Sequence, residues 1–246
     1  MIPAETLQAT FPSTAPESRL VALAAPESAA AEQYRVLFQR LLRLAARRPV
    51  RVLAVTSAGR GEGRTTTAAN LALTAAQEGR STVLVESDLR RPALAKLFGL
   101  APRAGLADVL DGTAELGQAV VRAGGLAILC AGEVRDAAAA LRSPRASTVM
   151  EQLRAAYEHV ILDAPPALAF ADGDRIAGAA DAALLVVRAG MTPRQVVKLA
   201  LEALGDRAAG VVLNDVDVAA LPHGRWLYAD GPEAAASPGA PGRQAG

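Results

Sequence analysis

The run Ser57-Ala58-Gly59-Arg60-Gly61-Glu62-Gly63-Arg64-Thr65-Thr66 carries the residue types that hold phosphate. Glycines let the backbone curl so that successive N–H groups point inward, and a following helix adds the partial positive charge of its N-terminus. Both flanks fit this geometry: Arg51 to Thr56 is an apolar, strand-like run, and Thr66 to Leu73 reads as helix. Set against the phosphate-loop pattern G-x-x-x-x-G-K-S/T, Ala58 stands for the first glycine and Arg64 for the lysine, with Gly63 and Thr65 in register. The candidate nucleotide contacts are Gly59, Gly61, Glu62, Gly63, Arg64, Thr65 and Thr66, with the Thr65 hydroxyl placed to reach Mg2+. The dinucleotide fingerprint G-x-G-x-x-G fits less well, because Gly59 and Gly61 match but position 64 is arginine.

Carboxylates stand at the ends of two further apolar runs. Val83-Leu84-Val85 leads into Glu86 and Asp88, and Val160-Ile161-Leu162 leads directly into Asp163. Carboxylates around a metal–nucleotide serve as metal ligands, water holders or a base for an attacking hydroxyl. Each has a plainer reading: Asp163 could satisfy a turn, and Glu86 and Asp88 could pair with Arg90 and Arg91. The order loop, Glu86/Asp88, Asp163 at successive strand ends favours nucleotide chemistry.

The elements that must position these groups alternate along the chain. Strands are expected at about Val50–Thr56, Ser81–Val85, Leu126–Cys130, His159–Asp163, Ala182–Val187 and Gly210–Asn214. Helices are expected from Ser28 to about Ala46, from the loop to about Glu78, from Ser143-Pro144 to about Tyr157, over Asp172–Ala179, and from a capping box at Thr192 to Leu204. Short helical pieces are expected around Ala93–Phe98 and Leu106–Leu110. This pattern specifies an α/β fold of the P-loop NTPase kind, a mostly parallel sheet with helices on both faces. Three segments follow: a disordered stretch over 1–27, a nucleotide-binding domain over 28–218, and a disordered tail over 219–246.

Composition narrows the class. Among 246 residues the net charge is +1 and aromatics make up 3%, which argues against stacking on single-stranded nucleic acid. The lone Cys130 excludes an internal disulfide and a cysteine-ligated cluster, and reads as a core position. The basic residues Arg40, Arg43 and Arg47 read as a solvated helix face. No run approaches the ~18 apolar residues of a membrane span, and the N-terminus lacks a signal-peptide pattern, so an intracellular setting is expected.

At these motifs the sequence resembles the bacterial tyrosine kinases (BY-kinases) of capsular and exopolysaccharide synthesis. The likeness runs through Ser57 to Ala72, Val83-Leu84-Val85-Glu86-Ser87-Asp88-Leu89-Arg90-Arg91-Pro92, Val160 to Pro166, Asp181 to Gly190 and Gly210 to Asn214. Glu32-Gln33-Tyr34-Arg35 resembles the start of the family's oligomerisation motif E-x-x-R-x-x-R. The resemblance implies an ATP- and Mg2+-dependent kinase that phosphorylates tyrosines, mainly its own in trans. It implies a cytoplasmic place at the inner membrane face through a transmembrane chain-length adaptor, a homo-oligomer, and no nucleic-acid partner. Thr65 and Asp88 would hold Mg2+, Asp163 would support metal and water, Glu86 would stand where the base is expected, Arg64 would act where the catalytic lysine stands, and Asn214 would lie near the adenine.

This chain departs from the family pattern at Arg64, at Glu86 in place of aspartate, at Phe38 in place of a charged residue, and in a tail with Tyr228 but no tyrosine cluster. Those departures also admit a catalytically weak nucleotide-binding scaffold acting through the adaptor. A partition-type ATPase is a further alternative, but Gly59 stands where that group carries a signature lysine.

Overall fold

In the computed structural model, the chain is described over residues 7–8, 19–101, 103–169 and 175–216. All of these but Val216 belong to one unit spanning Met1–Asp215; the second unit, Val216–Gly246, lies beyond Val216 outside the described residues, as does the expected tail over 219–246.

The strands are β1 (Leu7–Gln8), β2 (Val52–Ser57), β3 (Thr82–Glu86), β4 (Val121–Ala123), β5 (Leu126–Leu129), β6 (His159–Asp163), β7 (Ala182–Arg188) and β8 (Ala208–Asn214). They form one sheet in the order β1-β4-β5-β3-β6-β2-β7-β8. Every neighbouring pair is parallel except β4 and β5. Six strands match the expected ones to within a few residues. The hairpin β4–β5 was not anticipated, although Gly124 and Gly125, both at positive φ (53° and 85°), supply the two-residue turn such a hairpin uses.

The helices are α1 (Val21–Ala24), α2 (Ala29–Ala45), α3 (Arg64–Gln77), α4 (Leu94–Phe98), α5 (Leu106–Asp111), α6 (Leu116–Ala119), α7 (Ala137–Leu141), α8 (Arg145–Ala156), α9 (Arg175–Gly178) and α10 (Arg194–Leu204). Alternate side chains of each central strand face opposite ways. Leu53, Val55, Leu84, Ile161 and Leu184 join a core with α1, α2 and α3, while Ala54, Val83, Val85, Leu162 and Leu185 join another with α5, α8 and α10. With both faces covered, the strands read as unbroken apolar runs. Cys130 is buried as expected, and burial pushes its thiol up to about 12.

One expectation about the N-terminal part needs correction. Within 1–27, residues 7–8 form a strand and the stretch from Arg19 onward packs on α3. Asn70 is the tether: its Oδ1 accepts from the Ala22 N–H (3.0 Å) and its Nδ2 donates to the Arg19 carbonyl (2.9 Å), while Gln77 Nε2 donates to the Ala22 carbonyl. Residues 1–6 and 9–18 lie outside the described residues.

On α2, capped by Ser28, Ala31 and Phe38 are buried, and Tyr34, Leu37 and Leu41 pack half-buried against the same core. Phe38 is 2% exposed and meets the His159 ring edge-on at 5.4 Å. The sequence departs from the charged pattern there because the position is core.

Candidate nucleotide-binding site

β2 sits between β6 and β7, and β6 sits between β2 and β3. The carboxyl ends of β3, β6 and β2 are therefore neighbours, and each delivers a piece of one cleft of about 760 Å³.

The end of β2 delivers the loop. Gly61 and Gly63 take φ of 74° and 87°, which open the turn, and Gly63 caps α3. Among the described residues, none accepts a hydrogen bond from the backbone N–H groups of residues 59–66, and this row of free donors is what an anion needs. The loop is braced from below. Ser57 Oγ donates to the Gly59 carbonyl (2.6 Å), and the Glu62 carboxylate accepts from the Ala58 N–H (2.9 Å) and the Thr192 hydroxyl (2.6 Å). Asn214 Nδ2 donates to the Glu62 carbonyl (2.9 Å). A Cβ on Gly63 would overlap the Asn214 amide, so only glycine leaves room for this brace.

Glu62 and Asn214, expected among the nucleotide contacts, thus hold the loop's shape. The capping box at Thr192 does not form; its hydroxyl goes to Glu62, and α10 starts without a side-chain cap.

The ends of β3 and β6 deliver the acids. The Asp163 carbonyl accepts from the N–H groups of Ser87 (3.0 Å) and Asp88 (3.2 Å) and from the Ser87 hydroxyl (3.1 Å). These bonds set Asp88 beside Asp163. Between them lies Arg64, the first residue of α3, whose Nη2 donates to Asp88 Oδ2 at 2.8 Å and whose Nε donates to Asp163 Oδ1 at 3.0 Å. The Asp163 side chain is 2% exposed, and burial pushes its carboxyl up to about 6 although the Arg64 guanidinium and Thr65 hydroxyl pull it down.

Glu86 is not in the cleft, which corrects its expected place as base. It is 1% exposed; Oε1 accepts from the N–H groups of Ala93 and Leu94, at the start of α4, and Oε2 accepts from Ala131 (2.9 Å). The extra methylene turns the carboxylate down into the fold, where burial raises its pKa above the ordinary range. Neither acid pairs with Arg90 or Arg91 among the described residues; those two, with Arg19, Arg60 and Lys96, stand exposed around the cleft. The sequence placed Arg60, Arg90 and Arg91 near the motifs but gave no sign of Arg19 or Lys96.

The donors suit a nucleotide's phosphates. No group of three or more His, Cys, Asp or Glu gathers into a metal cage among the described residues. The Thr65 hydroxyl, Asp88 and Asp163 stand beside the row of N–H donors, and Arg64 rather than open space lies between the two carboxylates. A loop at a strand end opening onto a helix, with acids on two neighbouring strands, defines the class: a P-loop nucleotide-binding α/β protein.

The comparisons narrow this class. No family model matches the chain. It is 34% identical over 207 residues to tyrosine-protein kinase YwqD of Bacillus subtilis, covering 80% of this chain and 86% of that one. It is 31% identical over 183 residues to tyrosine-protein kinase CpsD of Streptococcus agalactiae, covering 72% and 80%. It is 33% identical over 231 residues to the succinoglycan biosynthesis transport protein ExoP of Rhizobium meliloti, covering 89% of this chain but 29% of that longer one.

Among solved structures, the kinase domain of Escherichia coli tyrosine kinase ETK matches with a TM-score of 0.75 at 26% identity, covering 86% of this chain and 90% of that one. The septum site-determining protein MinD of Pyrococcus horikoshii, complexed with Mg-ADP, matches with a TM-score of 0.55 at 25% identity, covering 66% and 69%. The chain belongs to the bacterial tyrosine-kinase family, and the partition-type ATPases are its more distant kin.

Proposed function

We propose that this chain is the ATP-binding kinase domain of a system that regulates synthesis and export of a capsular polysaccharide or exopolysaccharide, and that it phosphorylates tyrosine. The observation that carries the reading is the row of free N–H donors over residues 59–66 in one cleft with Asp88, to which the buried Asp163 is joined through Arg64.

In this reading the loop N–H groups and Arg64 hold the phosphates, and Asp88 and Asp163 hold Arg64 in place. With Glu86 turned away, the side chain placed to accept a proton from an attacking hydroxyl is Asp88, which lines the cleft. The exposed cations Arg60, Arg90, Arg91 and Lys96 raise the local concentration of anionic substrate.

The phosphoacceptor is constrained by burial. Tyr157 is 3% exposed and Tyr34 is half-buried against α3, so on this chain Tyr228 is the acceptor of choice; it lies outside the described residues.

Partner and assembly follow from the same family reading. No helix among the described residues is long and apolar enough to cross a membrane, and a transmembrane adaptor is the partner this reading assigns. Glu32 and Arg35 pair with each other on the outer side of α2 (2.6 Å), where a second copy of the chain can reach them.

The test is incubation of the purified chain, with and without its adaptor, in Mg-ATP, followed by mass spectrometry for phosphotyrosine and an assay for ADP. Phosphotyrosine at Tyr228, lost in Tyr228→Phe, is the expected result; neither phosphotyrosine nor ADP would remove the kinase reading.

A further inference from the structure

Arg64 does more than replace a lysine. Its two bonds, 2.8 Å to Asp88 and 3.0 Å to Asp163, span the gap between the two acids that should share a divalent cation. That gap is set by backbone: Glu86 of β3 is in register with Asp163 of β6, and the Asp163 carbonyl holds the Ser87 and Asp88 N–H groups. The arginine therefore fits a space that exists without it.

A guanidinium offers five N–H donors in a planar fork, whereas a lysine ammonium is one compact point charge. Arg64 uses Nε and Nη2 on the acids. Its Nη1 has no acceptor among the described residues, and the residue lines the cleft beside the loop. One side chain can thus bridge two carboxylates and a phosphate, as a divalent cation does. A metal entering between the acids would first have to displace ion pairs whose members are 2–13% exposed, and removing a partner from a buried pair is costly.

We propose that Arg64 is a resident cation that takes the place of the divalent metal between Asp88 and Asp163, so that this chain binds nucleoside di- and triphosphates with little dependence on Mg2+. The inference rests on the nucleotide-binding reading above.

Calorimetric titration of ADP into the full chain, in excess Mg2+ and in excess chelator, tests it. In the wild type, chelation should change the ADP affinity by less than about threefold. In Arg64→Lys and Arg64→Gln, which free the acids for metal, chelation should weaken ADP by about tenfold or more, a difference of roughly 1.4 kcal/mol. Electron paramagnetic resonance with Mn2+ provides a readout on the wild type alone, which should hold no tightly bound Mn2+ before ADP is added. A wild type that loses about tenfold or more in ADP affinity on chelation, or that binds Mn2+ tightly without nucleotide, overturns the inference and leaves nucleotide binding intact. A wild type that binds ADP in neither buffer overturns both.

Discussion

The Thr192 hydroxyl donates to Glu62 Oε1 at 2.6 Å, tying the turn after β7 to the phosphate loop 130 residues earlier. Glu62 also receives the Ala58 N–H, and its carbonyl receives the Asn214 amide from the end of β8. Two strands on one side of β2 thus hold the loop open from beneath, leaving its outer N–H groups for a ligand. Thr192→Val deletes the donor and leaves a buried carboxylate oxygen short of a partner, at a cost of about 1–3 kcal/mol. The melting temperature should fall and the ADP dissociation constant should rise several-fold, with Thr192→Ser restoring both. Unchanged ADP affinity in Thr192→Val would mean that the brace does not shape the loop.

Glu86 accepts three backbone N–H bonds, two from the start of α4 and one from Ala131. Glu86→Gln must turn its NH2 toward an N–H donor, so one backbone donor is left unpaired. We expect a stability loss of about 1–3 kcal/mol in denaturant unfolding. Were Glu86 the base instead, the variant would keep its stability and lose phosphotransfer alone, a pattern that the two assays separate.

Phe38 fills the position that carries charge in the family pattern. Phe38→Arg would place a guanidinium between α2 and the sheet, against His159, whose protonation is already disfavoured chiefly by burial. The outcome should be a loss of roughly 3–5 kcal/mol, comparable to truncating a buried aromatic, with no gain in self-association by sedimentation. A larger and equally stable oligomer would show that α2 can present this position to a partner.

The sheet was legible because a strand buried on both faces is an apolar run, as Val52 to Val55 of β2 and Ala182 to Val187 of β7 are. β4 was not, since Val121-Arg122-Ala123 is too short to show a periodicity, and the Gly-Gly pair after it marks a turn without saying what it joins. Docking of the Arg19–Ala25 stretch was hidden because it depends on Asn70, a polar residue inside a helix whose partner lies 48 residues earlier. The loop, Asp88 and Asp163 were legible as strand-end residues, but a strand end says nothing about side-chain direction. That is why Glu86, two positions before Asp88 of the cleft, was expected there, and why Arg64 read as a replaced lysine rather than as the link between two acids.

Asp163 sets the pH dependence. Burial raises its carboxyl from an ordinary 3.8 to about 6, so the folded state binds a proton more tightly than the unfolded chain. The stability that this group contributes is therefore complete at low pH and is lost as pH rises through about 6. Asp163→Asn cannot ionise and lacks this pH dependence. The stability of the wild type measured against Asp163→Asn should accordingly decline by on the order of 1–2 kcal/mol between about pH 5 and about pH 7.5 in the absence of nucleotide, as read by urea unfolding. A difference that stays flat, or grows with pH, would mean that the Arg64 guanidinium outweighs the burial and holds Asp163 ionised throughout.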